Sequence, residues 1–447
     1  MPELIIQSAQ PQIDESQVAY PGWKVVLAGF FGVMVSVAAV VPYTFGLFIK
    51  PLAESFGWDR EATSAGFSIA ALTIAATSPC LGFLVDRYGP RRIILPCIVV
   101  FAAAYASLAL LTPHLLHFYL TFFIIGLVGQ GTARMGYSRA ISTWFNQRRG
   151  FALSIMFAGS ALGAMVLPVL AQAVITHLGW RSAYLILGGL ALLGFPLTAA
   201  FVRERAPDQQ DRHVSTEHGV PVAKALATPS FWIIAATASL CAISVNGALA
   251  HLSALLTDRG VSSSGAAWSV AIIGATGLIG NLLTGIFLDR FFGPRIWRAM
   301  LLMTVLGIVL LSVANSLVAG VVAAALIGFS MGGEGAIMPY LLGRYFGLRR
   351  FTTLYAFTST AFTIGAAIGP VLVGRAFDTL GSYRPIAIQL LALPALIPCL
   401  LMFVLPRYQI QTGGGPVIDI PSRVSTTRDR SRTTENPPSH VLQSKEC

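Results

Sequence analysis

Two charges sit where charge is costly. Arg134 and Glu334 lie inside long apolar runs, ten residues before Trp144 and Arg344 respectively. Ionisable groups within a membrane-length apolar segment are functional candidates by default. A guanidinium at Arg134 is suited to a planar carboxylate, and a carboxyl at Glu334 to giving and taking a proton. With a shift of 201 positions Glu334 falls on Ala133, one step from Arg134, so the two charges hold near-equivalent places and opposite signs. Facing one central cavity, they could pair when it is empty and part when substrate or proton arrives. The plainer readings are an arginine that snorkels to the membrane surface and, within Gly332-Gly333-Glu334-Gly335, a structural hydrogen bond to a close-packed helix.

Weaker candidates surround them. His251 and Asn246 are five residues apart on one apolar run and could hydrogen-bond an anion; His251 could also share a proton. Its nearness to Asp258 also fits a satisfied histidine at a helix end. Tyr43 follows Pro42 and Tyr137 follows Gly136, and a hydroxyl at either place could meet a carboxylate or simply pack. Asn281 is a lesser candidate. No Ser/His/Asp, Cys/His or metal-ligand constellation is present, and Gly-x-Gly patterns fall inside apolar runs, so no enzyme, cofactor, metal or ATP coupling is expected. The scattered cysteines read as small hydrophobes.

The elements that must position these groups are membrane helices. Of 447 residues, 55% are hydrophobic and 11% charged, with a mean hydropathy of +0.71. That excludes an ordinary soluble domain, and in lipid the backbone must be satisfied within helices. About 20 apolar residues cross a bilayer. Such spans fall near 25–47, 62–85, 93–112, 115–137, 150–176 and 182–202, then 230–256, 264–288, 297–316, 318–342, 352–374 and 383–405. The expected domains are an N-terminal segment 1–23, a six-helix bundle 24–202, a polar central loop 203–228, a second bundle 229–405 and a disordered tail 406–447. The N-terminus lacks the basic region of a cleaved signal, so insertion is expected to begin with an uncleaved first helix.

The net charge of +11 is explained by topology rather than by nucleic acid, since the basic residues lie between spans without a continuous basic face. Alternate short connections carry 12 Lys or Arg against 6 on the other side, which places the richer loops, the central loop and both termini in the cytoplasm. The halves repeat: Asp86 maps to Asp289 at an offset of 203, Arg148-Arg149 to Arg349-Arg350 at 201, and His177-Leu178-Gly179 to Thr379-Leu380-Gly381 at 202. Paired six-span repeats are a transporter architecture with the site near midplane between halves. Glycines in Gly159–Gly163 and Gly365–Gly369 permit close contact and suggest hinge or gate surfaces, or dense packing alone.

The stretch Gly82-Phe83-Leu84-Val85-Asp86-Arg87-Tyr88-Gly89-Pro90-Arg91-Arg92 resembles the cytoplasmic loop signature of the major facilitator superfamily, and Gly285–Arg295 is its second copy. Gly82, Asp86, Arg87, Gly89, Arg91 and Arg92 match it. The resemblance implies an all-α fold of twelve transmembrane helices in two pseudo-symmetric bundles. It also implies that Asp86 helps lock the halves in the outward-facing state, an anion meeting a helix N-terminus and nearby arginines. Asp289 and Arg290 would do the same less strictly, because Phe291-Phe292 lengthens the second copy. Tyr20-Pro21-Gly22-Trp23, Phe56-Gly57-Trp58-Asp59-Arg60 and Trp144-Phe145-Asn146-Gln147-Arg148-Arg149 resemble the oxalate/formate antiporter branch and its monocarboxylate transporter relatives, which implies organic anions as substrates. In that branch oxalate transport relies on basic residues inside helices eight and eleven; spans eight and eleven here lack interior Lys or Arg, so the departure from the resembled pattern disfavours a dicarboxylate.

The expectation is a monomeric secondary transporter in the bacterial inner membrane. It moves a monocarboxylate, lactone or aromatic acid by alternating access, with protons driving uptake. The rivals are efflux of amphipathic compounds, uptake of a neutral vitamin-like solute, and a transporter-like sensor.

Overall fold

Apolar helices fill the computed structural model, which describes residues 15–17, 19–204, 219–257, 263–313, 316–380 and 391–406. The first half holds α1 (Gly22–Met34), α2 (Val37–Phe56), α3 (Arg60–Tyr88), α4 (Pro90–Ser107), α5 (Leu115–Thr132), α6 (Arg134–Trp144) and α7 (Arg149–Phe201). After the short α8 (Val222–Leu226) come α9 (Pro229–Thr257), α10 (Ser263–Arg290), α11 (Gly293–Val313), α12 (Leu317–Phe346), α13 (Phe351–Leu380) and α14 (Leu393–Leu401). Most of the central loop, Asp258, Arg259, the start of the twelfth span with Gly381 and Arg384, and the tail after Pro406 lie outside the described residues.

Ten helical stretches among the described residues are long and apolar enough to cross a bilayer. One of them, α7, is two spans joined at Gly179, whose φ of 82° no β-carbon residue adopts cheaply. The expected spans 150–176 and 182–202 therefore meet at that glycine without a loop. Outward faces are apolar: Leu116 is 76% exposed and Leu72 72%. Inside, hydroxyls are satisfied by their own helix, as when Thr44 donates to the Val40 carbonyl (2.8 Å) and Ser244 to that of Leu240 (3.0 Å).

Spans one and four depart from the sequence reading, because each is broken in its middle. Val35 and Ser36 leave helical geometry between α1 and α2, and Ala133 is extended (φ −83°, ψ −159°) between α5 and α6. The breaks touch, for the Val37 N–H donates to Thr132 Oγ1 (3.3 Å). Their counterparts in the repeat, α9 and α12, run unbroken through 29 and 30 residues.

The small residues sort into two kinds of contact. Gly159 and Gly163 seat against the Phe30 and Met34 carbonyls of α1, and Gly365 and Gly369 against the Ser239 and Ile243 carbonyls of α9. These pairs bind helices within each half, so the dense-packing reading describes them and the gate reading does not. The seams between halves lie elsewhere, where α3 crosses α13 and α7 crosses α10. A β-carbon on Gly82 would sit 2.7 Å from the Thr352 carbonyl, and one on Gly285 2.7 Å from that of Gly150.

Candidate translocation site and gate

Asp86 lies four residues after Gly82, hence on the same helix face. Its side chain is fully buried and reaches across the seam to the start of α13. Its carboxylate accepts from the backbone N–H of Thr352 (3.0 Å) and Thr353 (2.8 Å) and from the Thr353 hydroxyl (2.6 Å). These are orphan donors of a helix first turn, closed here by an acid from the other half. The counter-ion is Arg139 of α6, which pairs with Asp86 and Glu204 and donates weakly to the Leu348 carbonyl (3.4 Å).

The second copy repeats the arrangement with fewer bonds. Asp289, four residues after Gly285, accepts from the N–H of Gly150 (2.6 Å) and Phe151 (2.9 Å), the first turn of α7. No ion pair to Asp289 occurs among the described residues. Nearby, Arg344 donates to the carbonyl of Asn146 (2.7 Å) and to its Oδ1 (3.0 Å), and buried Arg149 holds the Phe145 and Ser142 carbonyls. The Glu15 carboxylate caps the N–H groups of Asn146, Gln147 and Arg148 at 2.8–3.0 Å.

The arginines of the signature itself stand aside. Arg87 lies over the Tyr88 ring, Arg91 and Arg92 line a shallow hollow of about 200 Å³ beside Gly89 and Glu204, and Arg290 is exposed. Asp86 thus meets a helix N-terminus and an arginine, and that arginine is Arg139, fifty-three positions along the chain.

At mid-span Arg134 is the first residue of α6, directly after the Ala133 break. It is half-buried, with its guanidinium carbon 5.3 Å from the centroid of the Phe157 ring. No carboxylate pairs with it among the described residues. Tyr355 of α13, from the other half, lies within its electrostatic reach. Glu334 sits in the middle of α12 with the Cys241 thiol of α9 beside its carboxyl. Its Oε1 is buried and accepts no hydrogen bond among the described residues. The glycines around it are contact points: a β-carbon on Gly333 would meet Thr284, and one on Gly335 would lie 2.8 Å from Phe157 Cδ1. Arg134 and Glu334 are not an ion pair in this conformation: the first lies over the Phe157 ring and the second beside the Cys241 thiol.

The remaining candidates are dispersed. Tyr137 is corrected outright, for it is fully buried between α1 and α7 with its hydroxyl on Thr198 Oγ1 (2.8 Å), and a β-carbon on Gly32 would strike its ring. It packs the first half and does not face a cavity. Tyr43 is 47% exposed on α2. Asn246 donates to the Ala242 carbonyl of its own helix (2.9 Å), and His251 Nε2 meets the Pro370 carbonyl of α13 (3.1 Å). Asn281 donates to the Ser154 carbonyl (2.8 Å) and so belongs to the α7–α10 seam. Sequence reasoning missed Phe157, Cys241, Thr353 and Glu204. None carries a local signal, because each gains its role from a partner far along the chain.

A family model described as Major Facilitator Superfamily matches residues 25–370 and 234–426. An MFS-type transporter of Gibberella moniliformis is 27% identical over 384 residues, covering 83% of this chain and 87% of that protein. Monocarboxylate transporter 4 of Rattus norvegicus is 24% identical over 378 residues, covering 81% and 78%. The solved proton:xylose symporter XylE superposes with a TM-score of 0.71 at 15% identity, covering 86% of this chain and 95% of that one, a likeness of fold alone. With helix order, duplicated signature and family match in agreement along the same residues, the chain belongs to the Major Facilitator Superfamily, and it is a multi-pass membrane transporter rather than an enzyme.

Proposed function

We propose that this transporter carries a small organic anion with a single carboxylate, an aliphatic or aromatic monocarboxylate or a lactone-derived acid, by alternating access with proton-coupled uptake. The observation that carries the reading is Arg134, a half-buried mid-span cation with no acidic partner among the described residues. Such a cation is costly in a membrane interior unless an anion completes it. Its place at the first turn of α6 adds the positive end of a half-helix, the device by which broken helices receive anionic groups in transporters. The resemblance to a protein named for monocarboxylate transport points the same way. Glu334 is the proton-exchanging group.

On this reading the halves, 24–202 and 229–405, rock about the mid-span site. Asp86 and Asp289 hold the basic face closed, so the conformation described faces outward or is occluded. The excess of basic residues on that face supports a cytoplasmic placement of it and of both termini, in the inner membrane, and the carrier works as a monomer.

Proteoliposome uptake of labelled lactate, benzoate, oxalate and a neutral vitamin-like solute, with and without an inward proton gradient, tests the proposal. Gradient-driven uptake of a monocarboxylate that is lost in Arg134→Ala supports it. Uptake confined to the neutral solute, or monocarboxylate affinity retained in Arg134→Ala, overturns it.

A further inference from the structure

At its basic end the α3–α13 seam carries a groove of about 580 Å³, walled by Cys80 and Phe83 of α3, Arg349, Arg350 and Phe357 of the second half, and Val222 of α8. That volume lies within the roughly 300–1,000 Å³ of small-molecule sites. One side of the groove is apolar and open to the surroundings. Cys80 and Phe83 continue the exposed strip of α3 that begins at Leu72 and Ala76, because steps of three and four keep one helix face. At the end of the strip stand two successive arginines. Arg350 lies over the Phe83 ring, 5.5 Å from its centroid, and so reaches from the second half onto the first. Arg349 is exposed. Neither has an acidic partner, and no acid lines the groove, among the described residues. The Val220 N–H donates to the Phe346 carbonyl (3.0 Å), which keeps the α8 wall beside the arginines. Thr353, which also lines the groove, gives its N–H and hydroxyl to Asp86.

We propose that this groove binds a phospholipid with a net negative headgroup. The phosphate sits on Arg349 and Arg350, and an acyl chain lies along Phe83, Cys80 and Phe357. Guanidinium forks match phosphate oxygens, and basic pockets between membrane helices take anionic headgroups on the cytoplasmic side. A soluble anion would leave the apolar wall unused. A zwitterionic headgroup would find no acid there for its ammonium. Because the walls come from both halves, bound lipid stabilises the conformation in which this seam is closed, and whatever opens the seam weakens the lipid by the same factor. That coupling rests on the alternating-access reading above; the site itself does not.

The test titrates the purified protein in dodecyl maltoside with phosphatidylglycerol, phosphatidylcholine or sn-glycerol 3-phosphate. Thermal unfolding and the rate of Cys80 alkylation are followed in a Cys447→Ser background, since Cys80 is exposed while Cys97, Cys241 and Cys399 are buried. Phosphatidylglycerol should raise Tm and slow alkylation. Arg349→Gln/Arg350→Gln should raise the half-maximal lipid concentration about tenfold or more, and Arg349→Lys/Arg350→Lys should retain most of the response. Arg91→Gln/Arg92→Gln, basic but outside the groove, should leave the response unchanged. Equal effects of phosphatidylcholine, equal effects of glycerol phosphate, or a response that survives Arg349→Gln/Arg350→Gln each overturn the proposal. Should the double variant fail to fold, Arg349→Gln alone decides, because its side chain is exposed. Asp86→Asn should weaken phosphatidylglycerol by roughly the tenfold by which it depletes the closed state. Unchanged affinity in Asp86→Asn, with the arginine dependence intact, overturns the coupling to the seam and leaves the lipid site standing. No transported solute enters these measurements, so failure of the organic-anion reading would not disturb them.

Discussion

The carboxylate of Asp86 accepts the backbone N–H of Thr353 at 2.8 Å, so an acid from the first half closes the first turn of a helix in the second. The same bond has a partner in the repeat, where Asp289 takes the N–H of Phe151 at 2.9 Å. Each half therefore caps a helix of the other. On the alternating-access reading proposed above, the caps form only while the seams at Gly82 and Gly285 are closed, and they act as switches of conformation.

Asp86→Asn keeps the shape of the cap and removes its charge, together with the pair to Arg139. Charged hydrogen bonds of this kind contribute about 1.5–3 kcal/mol, so the closed population should fall by roughly tenfold or more relative to the open one. Spin-label distances between Tyr88 and Arg349 positions on the two halves would record it as a longer component. Asp289→Asn, with no ion pair among the described residues to lose, should move the same distribution less.

Gly82→Ala should destabilise the closed state, because the added carbon meets backbone and not a flexible side-chain tip. Gly46→Ala is the matched control, with no atom within 4 Å of the new carbon. Alanine is favoured over glycine in a helix by about 1 kcal/mol, so the control should hold or raise Tm while Gly82→Ala lowers it.

Arg134→Lys retains charge and loses the planar fork. Substrate affinity should drop but remain measurable, whereas Arg134→Ala should abolish it. Equal transport by arginine and lysine variants would show that only net charge at this depth matters.

Glu334→Gln should abolish accumulation driven by a pH gradient and leave exchange of labelled for unlabelled substrate intact. Accumulation against a gradient by the glutamine variant would remove Glu334 from proton coupling.

Tyr137→Phe removes one buried hydroxyl from Thr198 and nothing that faces a cavity. Stability should fall by about 1 kcal/mol, with substrate affinity unchanged. A loss of affinity at constant Tm would return Tyr137 to the binding site.

Much of this was legible from residue order. Lipid demands that backbone groups be satisfied within helices, so apolar length located most of the spans, though not the breaks in spans one and four, and the repeat offset paired them. The motif spacing marked Gly82 and Asp86, because a glycine and an acid four apart share a helix face whatever the partner is. Arg134 and Glu334 were visible because charge in an apolar run is conspicuous. Legibility ended where an outcome depended on a second segment. Tyr137 and Tyr43 look alike in the chain, yet one is sealed against α1 and the other is exposed. Neither Ser36 nor Ala133 is itself a glycine or proline, and glycines like those beside the second break, Gly131 and Gly136, also occur within unbroken helices; the two breaks touch through Val37 and Thr132. Nothing local to Arg139 marks it among the basic residues between spans, and only the fold lays it against Asp86 and Glu204. The sequence by itself determined the class, the approximate place of most spans and the two charges. Only the tertiary structure decided which groups those charges meet, because hydrogen bonding inside a helix is local while contact between helices joins residues hundreds of positions apart.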